Sequence, residues 1–404
     1  MKNFKKIFAL VLAVVMTFGL VACGNAADES NDTLKIGYFG GMTDTDCQLQ
    51  QDVINLFVEK WNEENTFGAK VEFVAYDNTN NGAQDTEMSI KCAQKLIGQD
   101  KVDIIIPAQL SNIIQATGEI INEAKIVDIG LGLSPTWMEQ GWEYVYRSAL
   151  ANDNQVPSLT ATMKSLNQKD IAVLYENTDN CLTFRDSFKE AAEADGLNIV
   201  AEEMLASAGG TGITGQITSV INSNPDTIFV TAMGGYFGTV IKQLRQSGYK
   251  GTIYIGANLW ADEVASIGAE EVNGVMMCSP YVTYTSIEEC NNDFLRPIFE
   301  EFCAKYDYFP TSDMLYKAWD ACLIIENAVK AAGSTNSEDI QAAIKTLKIE
   351  GCAGTMDFTT GSNECYFGAR AWVYTGQGAA GAPVLLDEWL ESDLASKVPL
   401  TKAN

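Results

Sequence analysis

From Thr33 onward, short runs of β-branched and aliphatic residues alternate with longer stretches whose apolar positions recur at helical spacing. The short runs predict strands over Leu34–Phe39, Val71–Tyr76, Val102–Ile106, Ile126–Ile129, Ile171–Tyr175, Ile199–Glu203, Thr227–Thr231 and Thr252–Gly256. The longer stretches predict helices over Gln48–Asn62, Gln84–Gly98, Ile113–Glu123, Val156–Leu166, Leu182–Asp195, Ile213–Asn222 and Thr239–Ser247. Strand and helix in alternation imply parallel sheets covered by helices on both faces, with right-handed connections.

The alternation runs twice, over 34–148 and again over 170–260, with the polar segment ANDNQ (151–155) between the two runs. Each run is long enough for a doubly wound α/β lobe. Two further strong helices, Phe294–Tyr306 and Met314–Ala331, follow the second run and precede a turn-rich, strand-like tail. They need a sheet to pack on, which is met most economically if the chain crosses between lobes more than once. The expected architecture is therefore two Rossmann-like lobes joined by a hinge. Its cleft lies between the sheet ends, where open α/β sheets place their ligands.

Composition narrows the chemistry. The chain has 404 residues, 47% of them hydrophobic, with 27 Lys and Arg against 53 Asp and Glu, a formal charge of −26 and no histidine. Without imidazole there is no Ser-His-Asp or Cys-His centre, no HExxH zinc helix and no histidine proton shuttle. The acidity argues against nucleic acid as a partner, because phosphate backbones are bound by clustered Lys and Arg. Gly209-Gly210-Thr211-Gly212 lacks the GK[ST] ending of a P-loop and reads as a connection. No catalytic residue, metal ligand or cofactor is expected.

The first 22 residues read as an export signal: Lys2, Lys5 and Lys6, then an uncharged run from Ile7 to Phe18, then Leu20-Val21-Ala22-Cys23-Gly24. The last stretch resembles a bacterial lipobox, which implies lipidation at Cys23 and attachment to the outer face of the cell membrane through the lipid alone. Removal of residues 1–22 would take away three lysines and bring the charge from −26 to −29. Residues 23–32 read as a flexible polar tether. Nine cysteines remain, an odd number with no CxxC pair, which speaks against a zinc ribbon or a thioredoxin-type site. Cys352 and Cys365 flank a turn-rich segment and are the first pair to test for a disulfide, with a pair of free thiols as the alternative.

Nine segments then point one way when taken in order. They are IGYFG (36–40), AQLSNII (108–114), IVDIGLGLSPTW (126–137), YRSALANDNQ (146–155), VLYENTDN (173–180), NPDTIFVTAMGG (224–235), YIGANLW (254–260), EEFCAKYDYFPTSDMLYKAWDA (300–321) and GTMDF (354–358). Together they resemble the substrate-binding lipoproteins of branched-chain amino-acid ABC transporters, the type I periplasmic binding proteins of leucine-binding-protein type. The resemblance implies a Venus-flytrap fold with a three-strand hinge. Lobe one would take 33–149 and 281–352, and lobe two 150–280 and 353–404. It implies capture of a small molecule without chemistry upon it, and delivery to a membrane permease and its ATPase.

Carried over by position, the resemblance places Leu110, Ser111, Gly132 and Ser134 on the side that holds a ligand carboxylate, and Asn180, Met233 and Asn258 on the opposite side. Backbone amides and a serine hydroxyl at a loop-to-helix junction suit an anion independently of any family. A capping role for either serine is compatible with ligand contact. Asn258 stands where the family commonly has an acid paired with the ligand ammonium, and Asn180 and Met233 stand where aromatic residues wall the pocket. The implied ligand is an amino acid or a related small carboxylate or amide, with Asp179 the one nearby acid able to restore the charge. The alternative function is a ligand-sensing receptor subunit of the same fold that reports occupancy to a partner protein.

Overall fold

The computed structural model describes residues 33–205, 212–366, 368–379 and 381–393. The expected signal, Cys23, the tether and Gly209 to Thr211 of the glycine-rich segment lie outside the described residues. The chain begins with β1 (Thr33–Gly40), α1 (Thr45–Glu63) and β2 (Lys70–Asp77), then a two-residue hairpin of β3 (Thr79–Asn80) and β4 (Ala83–Gln84). It continues through α2 (Thr86–Lys95), β5 (Ile104–Pro107), α3 (Ser111–Glu123), β6 (Val127–Gly130) and β7 (Val145–Arg147). These build a parallel sheet in the order β2-β1-β5-β6-β7. β1 lies inside it, with Ile36 paired to Phe73 on one side and to Ile104 on the other. All four residues of β5 are buried, as a strand covered on both faces by helices requires.

The second lobe follows: α4 (Asn152–Ser165), β8 (Asp170–Glu176), α5 (Asp179–Ala194), β9 (Asn198–Leu205), α6 (Thr214–Asn222), β10 (Thr227–Thr231), α7 (Phe237–Gln246), β11 (Thr252–Ile255), α8 (Ala261–Ile267), α9 (Ala269–Val272) and β12 (Val275–Ser279). The chain then returns to the first lobe for α10 (Leu295–Lys305), α11 (Met314–Ala332) and α12 (Ser337–Ile344), which precede the hairpin of β13 (Lys348–Gly351) and β14 (Gly354–Asp357). It ends in β15 (Arg370–Tyr374), β16 (Pro383–Leu385) and α13 (Leu386–Leu390). The second sheet has the order β16-β15-β12-β11-β10-β8-β9, parallel from β9 to β12 and antiparallel where β15 joins β12. Among the described residues, no helix is long and apolar enough to cross a membrane.

Every strand and helix that the pattern predicts is present. Their ends move where local chemistry acts: Asp44, Asp85 and Thr178 accept amides at the starts of α1, α2 and α5 and fix each first turn. The expected helix Gln84–Gly98 starts after Asp85 and closes in a π turn, Leu96–Asp100, that Lys101 ends in the left-handed region. β7, β12, α12, the β3–β4 hairpin, α8 and α9 are additional elements. Two of the segments that cross between lobes are tied together near β7: the Arg147 amide donates to the Asn363 carbonyl at 3.1 Å, and Arg147 and Glu364 form a parallel bridge.

The disulfide considered between Cys352 and Cys365 does not form. All nine cysteines from Cys47 to Cys365 are free, and burial pushes the Cys352 and Cys365 thiols well up. The Cys365 thiol instead donates to the Arg147 carbonyl at 3.1 Å, which fastens the return crossing to the first one.

Candidate functional site

The cleft lies at the carboxyl ends of both sheets, where the loops after β5 and β6 face those after β8, β10 and β11. On the first lobe, α3 starts at Ser111, with half-buried Leu110 as its cap residue and no side chain accepting from its first turn. Its opening amides are therefore left with their partial positive charge, which favours an anion there. Ser111 is not the cap of this helix but its first residue. Its Oγ accepts from the Ser134 amide at 3.2 Å, which leaves its hydroxyl proton as a donor at the mouth of the helix.

Gly132 makes that fastening possible. A Cβ there would sit 2.7 Å from Ser111 Oγ, 2.9 Å from Ile114 Cδ1 and 3.1 Å from the Gln109 carbonyl, so only glycine lets the β6 loop seat on the β5 loop. Ser134 is wholly buried and caps the short 3₁₀ turn Pro135–Trp137. Its Oγ lies 2.9 Å from Thr136 Oγ1 and accepts from Thr183 Oγ1 at 3.3 Å, while its carbonyl accepts from Arg147 Nη2 at 2.7 Å. Thr183 belongs to α5, where its hydroxyl also reaches the Asp179 and Asn180 carbonyls at 2.9 and 3.0 Å, so this serine touches the second lobe directly.

Beside this helix start the same wall carries charge. Gln109 Nε2 donates to Asp46 Oδ2 at 3.3 Å, and Gln109 Oε1 accepts from buried Gln50 at 2.8 Å. Burial raises the Asp46 carboxyl above its ordinary value, against a hydrogen bond from Ser312 that lowers it. Next to it, buried Lys317 pairs with Asp313 at 3.0 Å. Asp46, Asp313 and Lys317 were not legible as site residues, because they reach the cleft only when α1 and α11 pack side by side.

The second lobe offers neutral groups. Asn180 Oδ1 accepts from Asn152 Nδ2 at 2.6 Å, so this side chain spans from α5 to the start of α4. Met233 is half-buried, and its amide donates to Glu176 Oε2 at 2.9 Å. The loop beyond it packs on Trp260: a Cβ on Gly234 would come within 2.7 Å of that indole. Asn258 is buried, and its Oδ1 has no hydrogen-bond partner among the described residues. The next residue is pinned, with the Leu259 amide donating to Tyr374 Oη at 2.9 Å, so Asn258 is held by a rigid loop. A buried acceptor left unmatched costs about 1–3 kcal/mol, which a ligand N–H or O–H would recover. Asp179 is exposed and starts α5. The structure thus brings Leu110, Ser111, Gly132 and Ser134 into one cluster, and sets Asn180 in the first turn of α5 and Met233 and Asn258 on two loops of the other wall.

The architecture and this cleft are those of a bilobal binding protein, and comparison with known proteins agrees. The periplasmic binding protein family model matches residues 34–378, and the chain belongs to that family, the solute-binding proteins of ABC transporters, which work outside the cytoplasm. Among curated proteins, the Leu/Ile/Val-binding protein homolog 1 of Brucella abortus is 22% identical over 264 residues, covering 65% of this chain and 68% of that protein. Among solved structures, the leucine-binding protein LivK of Thermotoga maritima superposes with a TM-score of 0.70 at 21% identity, over 87% of this chain and 97% of that one. A solute-binding protein of Rhodopseudomonas palustris, solved with 3,4-dihydroxybenzoic acid, reaches 0.73 at 20% identity over 85% and 93%. LivJ of Streptococcus pneumoniae, solved with isoleucine, gives 0.70 at 21% over 86% and 97%. These similar proteins are transporter binding proteins rather than enzymes.

Proposed function

We propose that this protein is the lipid-anchored receptor of an ABC importer, attached at Cys23 to the outer face of the cell membrane. It captures a small carboxylate that also carries an N–H donor, an amino acid or a related amide, and presents it to the permease and its ATPase. Lobe one, 33–149 with 281–352, takes the carboxylate at Ser111 and the opening amides of α3. Lobe two, 150–280 with 353–404, reads the donor end with Asn258 and walls the space with Asn180 and Met233. The observation that carries this reading is the pairing of an uncapped helix start beside a free serine proton with an unmatched buried amide oxygen on the other wall. Ligand contacts from the second lobe then select the closed state.

The test is a thermal-shift screen of amino acids, carboxylates, amides and purines, followed by calorimetry on Ser111→Ala and Asn258→Ala. A ligand at a hundred times its Kd adds about 2.7 kcal/mol of stability. Both variants are expected to weaken binding of the compound found. Unchanged affinity in both would remove the site assignment.

A further inference from the structure

The lobe-one wall of the cleft holds more acid than it matches. α1 and α11 are fixed side by side by Phe57 against Trp319, with ring centroids 4.7 Å apart, and by Trp61 Nε1 donating to Glu326 Oε2 at 2.9 Å. That packing brings the starts of the two helices together, and Gln50 of α1 donates to Met314 Sδ of α11 at 3.3 Å. The start of α1 already has its capping acid in exposed Asp44, which accepts from the Cys47 amide at 3.0 Å.

Asp46, two residues on, is half-buried and turns instead to the loop after β5 and to the start of α11. Both of its donors are neutral, Gln109 Nε2 at 3.3 Å and the Ser312 hydroxyl. Lys317, the cation whose charge reaches it, is already paired with Asp313 at 3.0 Å. Burial, then the like charges of Asp313 and Asp44, raise the Asp46 carboxyl above its ordinary value. Three carboxylates thus share one ammonium, an arrangement that favours a further cation. The three residues placed on the opposite wall, Asn180, Met233 and Asn258, are neutral, and Asn258 Oδ1 is an unmatched acceptor. The Asn258 loop lies in the same field: the Leu259 amide donates to Tyr374 Oη, and Asp313 is one of the charges that, after burial, raise that phenol.

We propose, resting on the reading of Ser111 as the carboxylate side, that Asp46 is the counter-charge for a ligand ammonium, so that the solute is a zwitterionic amino acid with both charged ends docked on lobe one. Gln109, two residues before Ser111, joins the two positions through its bond to Asp46. An ammonium has three N–H donors, so Asp46 takes one from lobe one and Asn258 another from lobe two. An amide brings no charge to this wall and is disfavoured.

The test is calorimetry of the full chain with the L-amino acids and, for each that binds, with the 2-hydroxy acid of the same side chain. The hydroxy acid keeps the carboxylate and a donor for Asn258 but replaces the ammonium with a neutral hydroxyl. The amino acid is expected to bind roughly tenfold or more tighter. Asp46→Asn keeps the shape and an acceptor for Gln109, and is expected to abolish that preference by weakening the amino acid while the hydroxy acid binds as before or tighter. A purely structural role would not change the preference, and the two ligands can be compared on the wild type even if the variant folds poorly. Equal binding of the two ligands by the wild type, or a variant that weakens both alike, would overturn the proposal and leave the Ser111 reading in place. That reading fails separately, if Ser111→Ala binds both ligands unchanged. Binding of no amino acid at all would also overturn the proposal.

Discussion

Lobe one meets the cleft with hydroxyls and charges already tied to one another, whereas lobe two meets it with neutral amides on separate elements, one of them unmatched. The first wall is organised before any ligand arrives: Gly132 seats one loop on the other, Ser111 accepts from Ser134, and Lys317 lies against Asp313. A wall of this kind provides affinity, because little is left to order when an anion docks. The second wall provides discrimination, because an unmatched acceptor favours ligands that bring a donor and penalises those that do not.

Perturbing the organised wall should have the largest effect. Gly132→Val drives its side chain into Ser111, Ile114 and the Gln109 carbonyl, and is expected to lower affinity on the order of a hundredfold in calorimetry. Ser111→Ala removes one donor to a charged group, worth about 1.5–3 kcal/mol, so a loss of roughly ten- to a hundredfold is expected. Equal affinity in wild type and either variant would mean that the first wall does not hold the ligand.

The neutral wall should respond more gently and with a distinctive signature. Asn258→Ala is expected to cost a few-fold in affinity while raising the melting temperature of the unliganded protein, because an unmatched buried acceptor disappears. A fall in that melting temperature would show that Asn258 has a structural partner. Thr183→Val removes the interlobe hydrogen bond to Ser134, worth about 0.5–1.5 kcal/mol, and is expected to open the lobes, seen as a larger radius of gyration in X-ray scattering.

The smallest expected effect is on pH dependence. Burial raises the Asp46 carboxyl above its ordinary value of 3.8, so the folded chain holds that proton more tightly than the unfolded one. Its contribution to stability is therefore complete below the ordinary value and is lost as pH rises through the raised value. Over the same window the wall gains negative charge, and binding of an anionic ligand should weaken. Asp46→Asn should flatten both curves in a pH series of thermal shifts and calorimetry.

The contrast between the walls also explains what was legible in advance. The alternation of strands and helices was readable because the β-rich runs are short and bounded by turn residues and each helix has one apolar side, patterns that survive in a single sequence. β7 is three residues long, too short to carry a period, and β12 is a uniformly buried VMMCS run without alternation. Ser111 and Ser134 stood out because the resemblance to the leucine-binding-protein type places serines there, and a hydroxyl beside a helix start is compatible with that role. Their division of labour did not, since the Ser134 hydroxyl meets Thr183 only across the cleft. Asp46 and Lys317 belong to helices distant in sequence, and only packing brings them together. The Cys352 and Cys365 spacing left a disulfide and free thiols both open, and the structure has free buried thiols, with that of Cys365 bonded to the Arg147 carbonyl.

The way β15 joins β12 bears on how the protein is made. β12 ends at Ser279 and its antiparallel neighbour spans Arg370–Tyr374, so the strand that completes the second sheet follows the late helices of the first lobe. During synthesis the second sheet keeps an open edge at β12 until nearly the whole chain has emerged, because lobe one must be revisited before lobe two is finished. Such non-local pairing slows folding.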